Sequence, residues 1–324
     1  MIRPEDVRFH TPSDVSYDWG ETNFFSIYIP EPNITAWVYT IARAGVGAFV
    51  SDIRAINGIS HHAMDAIYLD CQQHLPMPAK LEDYSLPNGL SVKTSNEPRD
   101  YHIHYVGIDD TEFDWHVKGI MEPFDISDPS MDPLASKDPN QSGFGAAYSN
   151  HFDMTTHVTG TTKIRGRSFE VDCVTLMDHS WGPRNERLMS GMGWINAVFG
   201  LDYSVQAIFS LDPWAKGWEA FKFAHGYALV DGRVCGFKSG MARAIRHGQF
   251  PVGYEMRFVD INDFEHVLIG TTIAQHPWSC YSNIEAKLSM VEWHAVGRKG
   301  FGYGHSQENW QFDRLAGLDF RAGR

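Results

Sequence analysis

The chain has 324 residues, a formal net charge of −13 and a sequence pI near 5.6. That length suggests about two domains, and 43% hydrophobic residues are enough to build a real core. The acidic balance, with no Lys/Arg cluster to offset it, argues against a nucleic-acid surface, and no run of 18 apolar residues offers a membrane span.

The opening stretch, MIRPEDVRFH, lacks the apolar segment of a secretory signal. The four cysteines, Cys71, Cys173, Cys235 and Cys280, are widely spaced and form no Cys-x-x-Cys pair. A cytoplasmic protein with reduced thiols is therefore expected.

In chain order, short alternating runs broken by Gly, Asp and Asn predict a mostly β protein. AWVYTIAR and AGVGAFVSDIRAI read as two strands around a Gly-rich turn. DYHIHYVGIDDTEFDWHVKGIM reads as a hairpin turning at GIDD. Residues 122–150, rich in Pro, Asp and Ser, interrupt the pattern as a long loop or crossing segment with room for one short helix. HVTGTTKIRGRSFEVDCVTLM is a further hairpin at RGR, and FAHGYALVDGRVCGFK carries a strong turn signal in VDGR. The C-terminal third continues in the same manner, and no repeat of 20–50 residues is present. Many short strands at this spacing predict antiparallel barrels or sandwiches.

The most reactive-looking stretch is MDHSWGPRNE, which follows the strand RSFEVDCVTL. Alternation puts Phe169, Val171, Cys173, Thr175, Met177, His179 and Trp181 on one face, and Asp178 and Ser180 on the other. His179 and Trp181 thus end a largely apolar row, directed into the core or into a ligand cavity, before Gly182-Pro183 stops the strand. Desolvation would shift the imidazole, and Asp178 could orient it for acid–base work. The plainer account is a strand-end histidine bonded to backbone beside a core tryptophan.

GFGYGHSQENW is a second candidate. Its even face carries Glu308 beside Trp310, where a carboxyl could be raised into a proton donor; an outward-facing rim residue is the plainer account. Tyr203, Trp194, Tyr303 and Trp310 are candidate substrate contacts. His102 and His104 share a face but lack the carboxylate of a metal site, and adjacent His61 and His62 point apart in a strand. No zinc-protease, P-loop, dinucleotide or Gly-x-Ser-x-Gly signature is present, so neither metal nor cofactor is expected.

The row VDCVTLMDHSWGPR, preceded by HVTGTTKIRGRSFEV and followed by GFGYGHSQENW, resembles the carotenoid 1,2-hydratase (hydroxyneurosporene synthase) and AttH-like superfamily. The resemblance covers most of the chain in layout and rests on Asp-His-Ser-Trp-Gly. It implies two lipocalin-like β-barrel halves packed together, with an apolar ligand in or between them. In those hydratases a proton is delivered to an isoprenoid double bond and water captures the cation; other members carry out polyene cyclisations. Carried over by position, Asp178, His179 and Trp181 match the motif, while the hydratases' additional carboxylate has no match here. The resemblance thus points to an apolar small molecule rather than to one reaction.

The expectation is two lipocalin-like domains, residues 1–185 and 186–324. The expected activity is a cofactor-independent hydratase, isomerase or cyclase acting on a terpenoid, steroid or polyene. His179 would shuttle the proton, Trp181 stabilise positive charge, Asp178 orient the imidazole, and Glu308 act in reserve. The alternative is a carrier of an apolar ligand without chemistry. A carbohydrate-binding sandwich, suggested by WAKGWEAF, ranks below both. Oligomeric state is not legible.

Overall fold

The structure is a computed structural model that describes residues 1–136, 148–187, 189, 191–212 and 214–312, the side chain of Cys280 aside. The first group of strands comprises β1 (Trp19–Ile29), β2 (Ile34–Arg43), β3 (Ala48–Asn57), β4 (Tyr68–Pro76), β5 (Asp83–Ser85), β6 (Leu90–Asn96), β7 (Asp100–Val106), β8 (Glu112–Gly119), β9 (Phe124–Asp125), β10 (Asn150–Ile164) and β11 (Arg167–Pro183). The second comprises β12 (Gly191–Val198), β13 (Tyr203–Leu211), β14 (Phe221–Val230), β15 (Arg233–His247), β16 (Phe250–Asp260), β17 (Glu265–Tyr281), β18 (Ile284–Ala295) and β19 (Gly302–Gln311).

Among the described residues the first group forms one antiparallel sheet, ordered β4-β3-β2-β1-β11-β10-β8-β7-β6-β5, with β9 attached to β10. It is a curled half-barrel, open between β4 and β5, whereas the second group closes as an eight-stranded barrel. The mostly β, lipocalin-like architecture is thus the one expected, with full closure in the second half only. The chain leaves the first sheet at Pro183 and enters the barrel at Gly191. Among the described residues no helix is long and apolar enough to cross a membrane.

Burial explains why some strands alternate and others do not. In β7, Tyr101, Ile103 and Tyr105 are buried while His102 and His104 face outward, as one solvated face requires. β1, β2 and β3 are buried along almost their whole length. One of their faces fills the half-barrel and the other meets the closed barrel. Phe24 packs edge-on to Trp194, and Thr35 Oγ1 lies 2.7 Å from His305 Nε2 across that junction. Thr155 Oγ1 meets Ser204 Oγ at 2.8 Å. Inside the closed barrel Phe209, Phe237, Tyr254, Phe258, Leu268 and Trp293 are buried together as a hydrophobic core, as side chains fill small barrels.

The hairpin of β10 and β11 sets up everything that follows. It turns at Arg165 (φ 48°) and Gly166 (φ 80°), two left-handed residues whose twist suits a tight β-turn. Pairing then runs without a bulge from Ile164–Arg167 to Asn150–Trp181. Of the long 122–150 segment, Phe124–Asp125 pairs with β10, and Asp132 is buried against His225 of β14. The described part of this segment forms no helix, and its residues 137–147 lie outside the described residues.

Candidate functional site

A narrow cleft opens between the half-barrel and the closed barrel. Alternation decides which side chains reach it. From β11 it receives Asp178 and Ser180; from β1, Thr22; from β10, His151. These are neighbours by register, since Ser180 pairs with Thr22 on one side and His151 on the other. From the closed barrel come Met192 and Trp194 of β12, and Gln307 and Asn309 of β19.

Apart from Gln307 and Asn309, the polar side chains of the cleft fall into two groups. The first is acidic. Asp178 pairs in register with Asp153, whose Oδ1 accepts Trp194 Nε1–H at 2.7 Å and whose Oδ2 lies 2.8 Å from His151 Nε2. Burial pushes the Asp178 carboxyl up to about 7; His151 and Arg184 oppose the rise and Asp153 adds to it. Among the described residues nothing hydrogen-bonds Asp178, so its proton is available to a ligand. Burial works against charge on His151, yet Asp153 holds its pKa above the ordinary imidazole value. His151 Nδ1 has no hydrogen-bond partner among the described residues.

The second group is cationic and phenolic. Arg184 is buried; it donates to Ser180 Oγ at 2.6 Å, to Tyr281 Oη at 3.0 Å and to Tyr39 Oη at 3.4 Å. Tyr39 and Tyr281 are themselves hydrogen-bonded, and Ser180 Oγ meets Thr22 Oγ1 at 2.7 Å. Arg184 also walls an outer groove with Arg43, Glu186 and Arg187. An acid, a His–Asp pair and an anchored guanidinium around a narrow space can exchange protons with a bound molecule while holding an oxygen on it.

Gly182 makes the turn-off possible. Its φ of +137° suits glycine, and a Cβ there would stand 2.3 Å from the Ser149 backbone nitrogen. The chain can therefore pass Ser149 closely and swing Arg184 back over Ser180.

The expected residues divide. Asp178 and Trp194 line the cleft. His179 and Trp181 do not: the odd face of β11 points away from it, toward the N-terminal segment. There Trp181 stacks on His10 at 3.8 Å, and His179 Nδ1 donates to the Thr22 carbonyl at 2.8 Å. Burial drives the His179 pKa down to about 4. Of the two directions the pattern allowed, it is the core that receives this pair.

Glu308 and Trp310 face the interior of the closed barrel, because Gln307 and Asn309 take the cleft side of β19. Glu308 accepts hydrogen bonds from Arg246, Tyr254 and Trp310 at 2.6, 2.8 and 3.0 Å, so its oxygens are engaged. Tyr203 bonds His266 under the Arg298 guanidinium, and Tyr303 packs on Tyr28; neither borders the cleft. His151, Asp153, Arg184, Tyr39 and Tyr281 escaped the sequence reading. The available signals were His151-x-Asp153 on the strand preceding the motif, and Arg184 within it.

Comparison with known proteins places the chain. No curated protein matches it significantly. Its fold is similar to that of an AttH-like protein of Nitrosomonas europaea, with a TM-score of 0.63 and 12% identity over 95% of this chain and 96% of the other. It is also similar to that of kievitone hydratase from Nectria haematococca, with a TM-score of 0.57 and 11% identity over 93% and 91%. Both likenesses are of fold. The profile of the domain of unknown function DUF7064 matches residues 3–311, nearly the whole chain, and the chain belongs to that family.

Proposed function

We propose that the protein is an acid–base enzyme needing no cofactor, and that the inter-sheet cleft is its active site. The reaction class is hydration or dehydration, isomerisation or cyclisation of an apolar small molecule that carries an oxygen function. The observation that carries this reading is the Asp178 carboxyl: raised to about 7, facing the cleft, and set beside the His151–Asp153 pair.

For a hydration the steps balance as follows. Protonated Asp178 gives its proton to one carbon of a double bond. The cation formed is stabilised by the face of Trp194 and by the Asp178 carboxylate left behind. Water attacks the cation and loses a proton to His151 Nδ1, whose ring is held in orientation by Asp153. Proton exchange through the mouth restores both groups. Arg184 and Tyr281 hold the oxygen function and fix which carbon meets Asp178. Met189, Met192 and Ile208 supply the apolar wall. A hydratase exists on this fold, as the name of the kievitone enzyme states, which makes this chemistry compatible with the scaffold. Terpenoids, steroids and polyenes stay the natural substrate classes, a cytoplasmic setting the natural place, and 1–185 and 186–324 the two lipocalin-like units between which the cleft lies.

The test is an untargeted mass-spectrometric comparison of an apolar cell extract incubated with wild type, Asp178→Asn, His151→Ala and His179→Asn, all confirmed folded by circular dichroism. The expected result is a compound consumed by wild type and His179→Asn but not by the two cleft variants. Consumption by Asp178→Asn at the wild-type rate refutes the assignment. A compound that is bound and recovered unchanged from all four supports the carrier.

A further inference from the structure

We infer that His10, Glu21 and His179 form a transition-metal site, with Zn²⁺ the best-matched ion, on the far side of β11 from the cleft. One ligand atom from each lies within 4.8 Å of the others. The set, two imidazoles and one carboxylate, is a common zinc ligand combination.

The state of His179 is the main support. Its Nδ1–H is committed to the Thr22 carbonyl, which fixes the tautomer and leaves a bare lone pair on Nε2. That nitrogen is buried, the residue being 1% exposed, and has no hydrogen-bond partner among the described residues. A histidine whose second nitrogen is pinned by a carbonyl while the first waits in a polar pocket has the outer-sphere arrangement of a metal ligand.

Glu21 and His10 complete the pocket. Glu21 Oε1 accepts from Thr11 Oγ1, Trp19 Nε1 and the His10 backbone, whereas Oε2 takes only His10, through its backbone N–H and, at 3.3 Å, its Nδ1. Oε2 therefore keeps room for a cation. With Nδ1 given to the ion, His10 Nε2–H points toward Asp6 Oδ1 at 3.5 Å, a carboxylate behind a metal-bound imidazole. Zinc bonds of about 2.0–2.2 Å require the three ligand atoms to draw together by roughly 1 Å. His10 can supply that movement, because it lies outside the strands and is held from the side by its stack on Trp181. Its partly exposed edge is the entry path, and water would fill the fourth position. The site would clamp the N-terminal segment to the end of the strand that carries Asp178.

A second histidine cluster, His102, Asp114 and His116, lies on the outer face of β7 and β8 and must be controlled for. The experiment uses the untagged full chain, stripped with chelator and titrated with Co²⁺ for visible absorption and with Zn²⁺ for the thermal midpoint. The variants are His10→Asn, Glu21→Gln, His179→Asn and the double variant His102→Ala/His116→Ala. His179→Asn keeps a donor for the Thr22 carbonyl while removing Nε2. The expected result is one saturable ion in wild type and in the double variant, a rise in midpoint with Zn²⁺, and at least about 10-fold weaker binding in each of the other three. No saturable binding by wild type, or binding lost only in the double variant, overturns the inference. Because His10→Asn changes a partly exposed loop residue, it keeps the test readable if a buried variant fails to fold.

Discussion

The two faces of β11 at its C-terminal end carry adjacent residues with opposite surroundings. Asp178 and Ser180 look into a cleft between two sheets, beside Asp153, His151 and Arg184. His179 and Trp181 look into a closed pocket beneath the N-terminal segment, beside His10 and Glu21. Burial acts on both sides with opposite results: it raises the Asp178 carboxyl to about 7 and lowers the His179 imidazole to about 4. Near pH 7 the His179 imidazole is therefore neutral, a lone-pair donor, while Asp178 is divided between its protonated, proton-donating form and its carboxylate. The comparison teaches that a polar motif on a strand is two half-motifs, each answering to a different neighbourhood.

The sharpest way to break it is to exchange the roles. Asp178→Asn should lower turnover about 10²–10⁴-fold, as expected for loss of a positioned acid, while His179→Asn should cost less than about 10-fold. Product formation on the substrate found by mass spectrometry decides, and the reverse order would move the chemistry to the other face. Gly182→Ala should damage both faces at once, destabilising the fold by about 2–4 kcal/mol through the clash with Ser149. A denaturant midpoint that matches wild type would remove the close approach from the account.

A third test uses pH. The folded state holds the Asp178 proton more tightly than the unfolded chain does, since about 7 exceeds the ordinary 3.8. Its contribution is fully present below pH 4 and is lost as pH rises to 7. Asp178→Asn should therefore gain on wild type over that window, by about 1–3 kcal/mol at pH 8. His179 runs the other way: the unfolded chain binds its proton more tightly, so stability is lost as pH falls from 6.5 to about 4, and His179→Asn flattens that arm. Parallel stability curves for wild type and either variant would contradict the stated burial. In turnover, the need for protonated Asp178 predicts a rate that declines above about pH 7. The smallest effect is reserved for Tyr281→Phe, which keeps the ring and removes the hydroxyl that bonds Arg184 and Tyr39; a loss of about 3–10-fold is expected, mostly in substrate affinity.

Much of this was legible before the structure. The hairpins at GIDD, RGR and VDGR announce themselves through residues that tolerate left-handed backbone, and the alternation along β11 sorts its residues onto the faces they occupy. What alternation does not state is which face meets the cleft. That depends on where the second barrel docks, and β1 to β3 hide the answer by being buried on both sides. Glu308 shares the buried face with Trp310 as its alternation implies, but that face fills the barrel, and Gln307 and Asn309 look like ordinary outward residues until a neighbouring sheet covers them. His151 and Asp153 sit in a row of threonines that reads as plain strand. His10 and Glu21 lie so far from His179 in sequence that only the β1–β11 pairing brings them together.

The uninterrupted pairing of β10 with β11 also has a genetic meaning. The Arg165–Gly166 turn acts as the zero mark of a ruler, and every position along the hairpin is measured from it. A substitution at most positions alters one side chain. The loss of one codon between the turn and Asp178 shifts the count by one, and each later side chain changes sides. The imidazole would then face the cleft and the acid the closed pocket. Lineages carrying this hairpin should accept varied letters in it far more readily than a varied length.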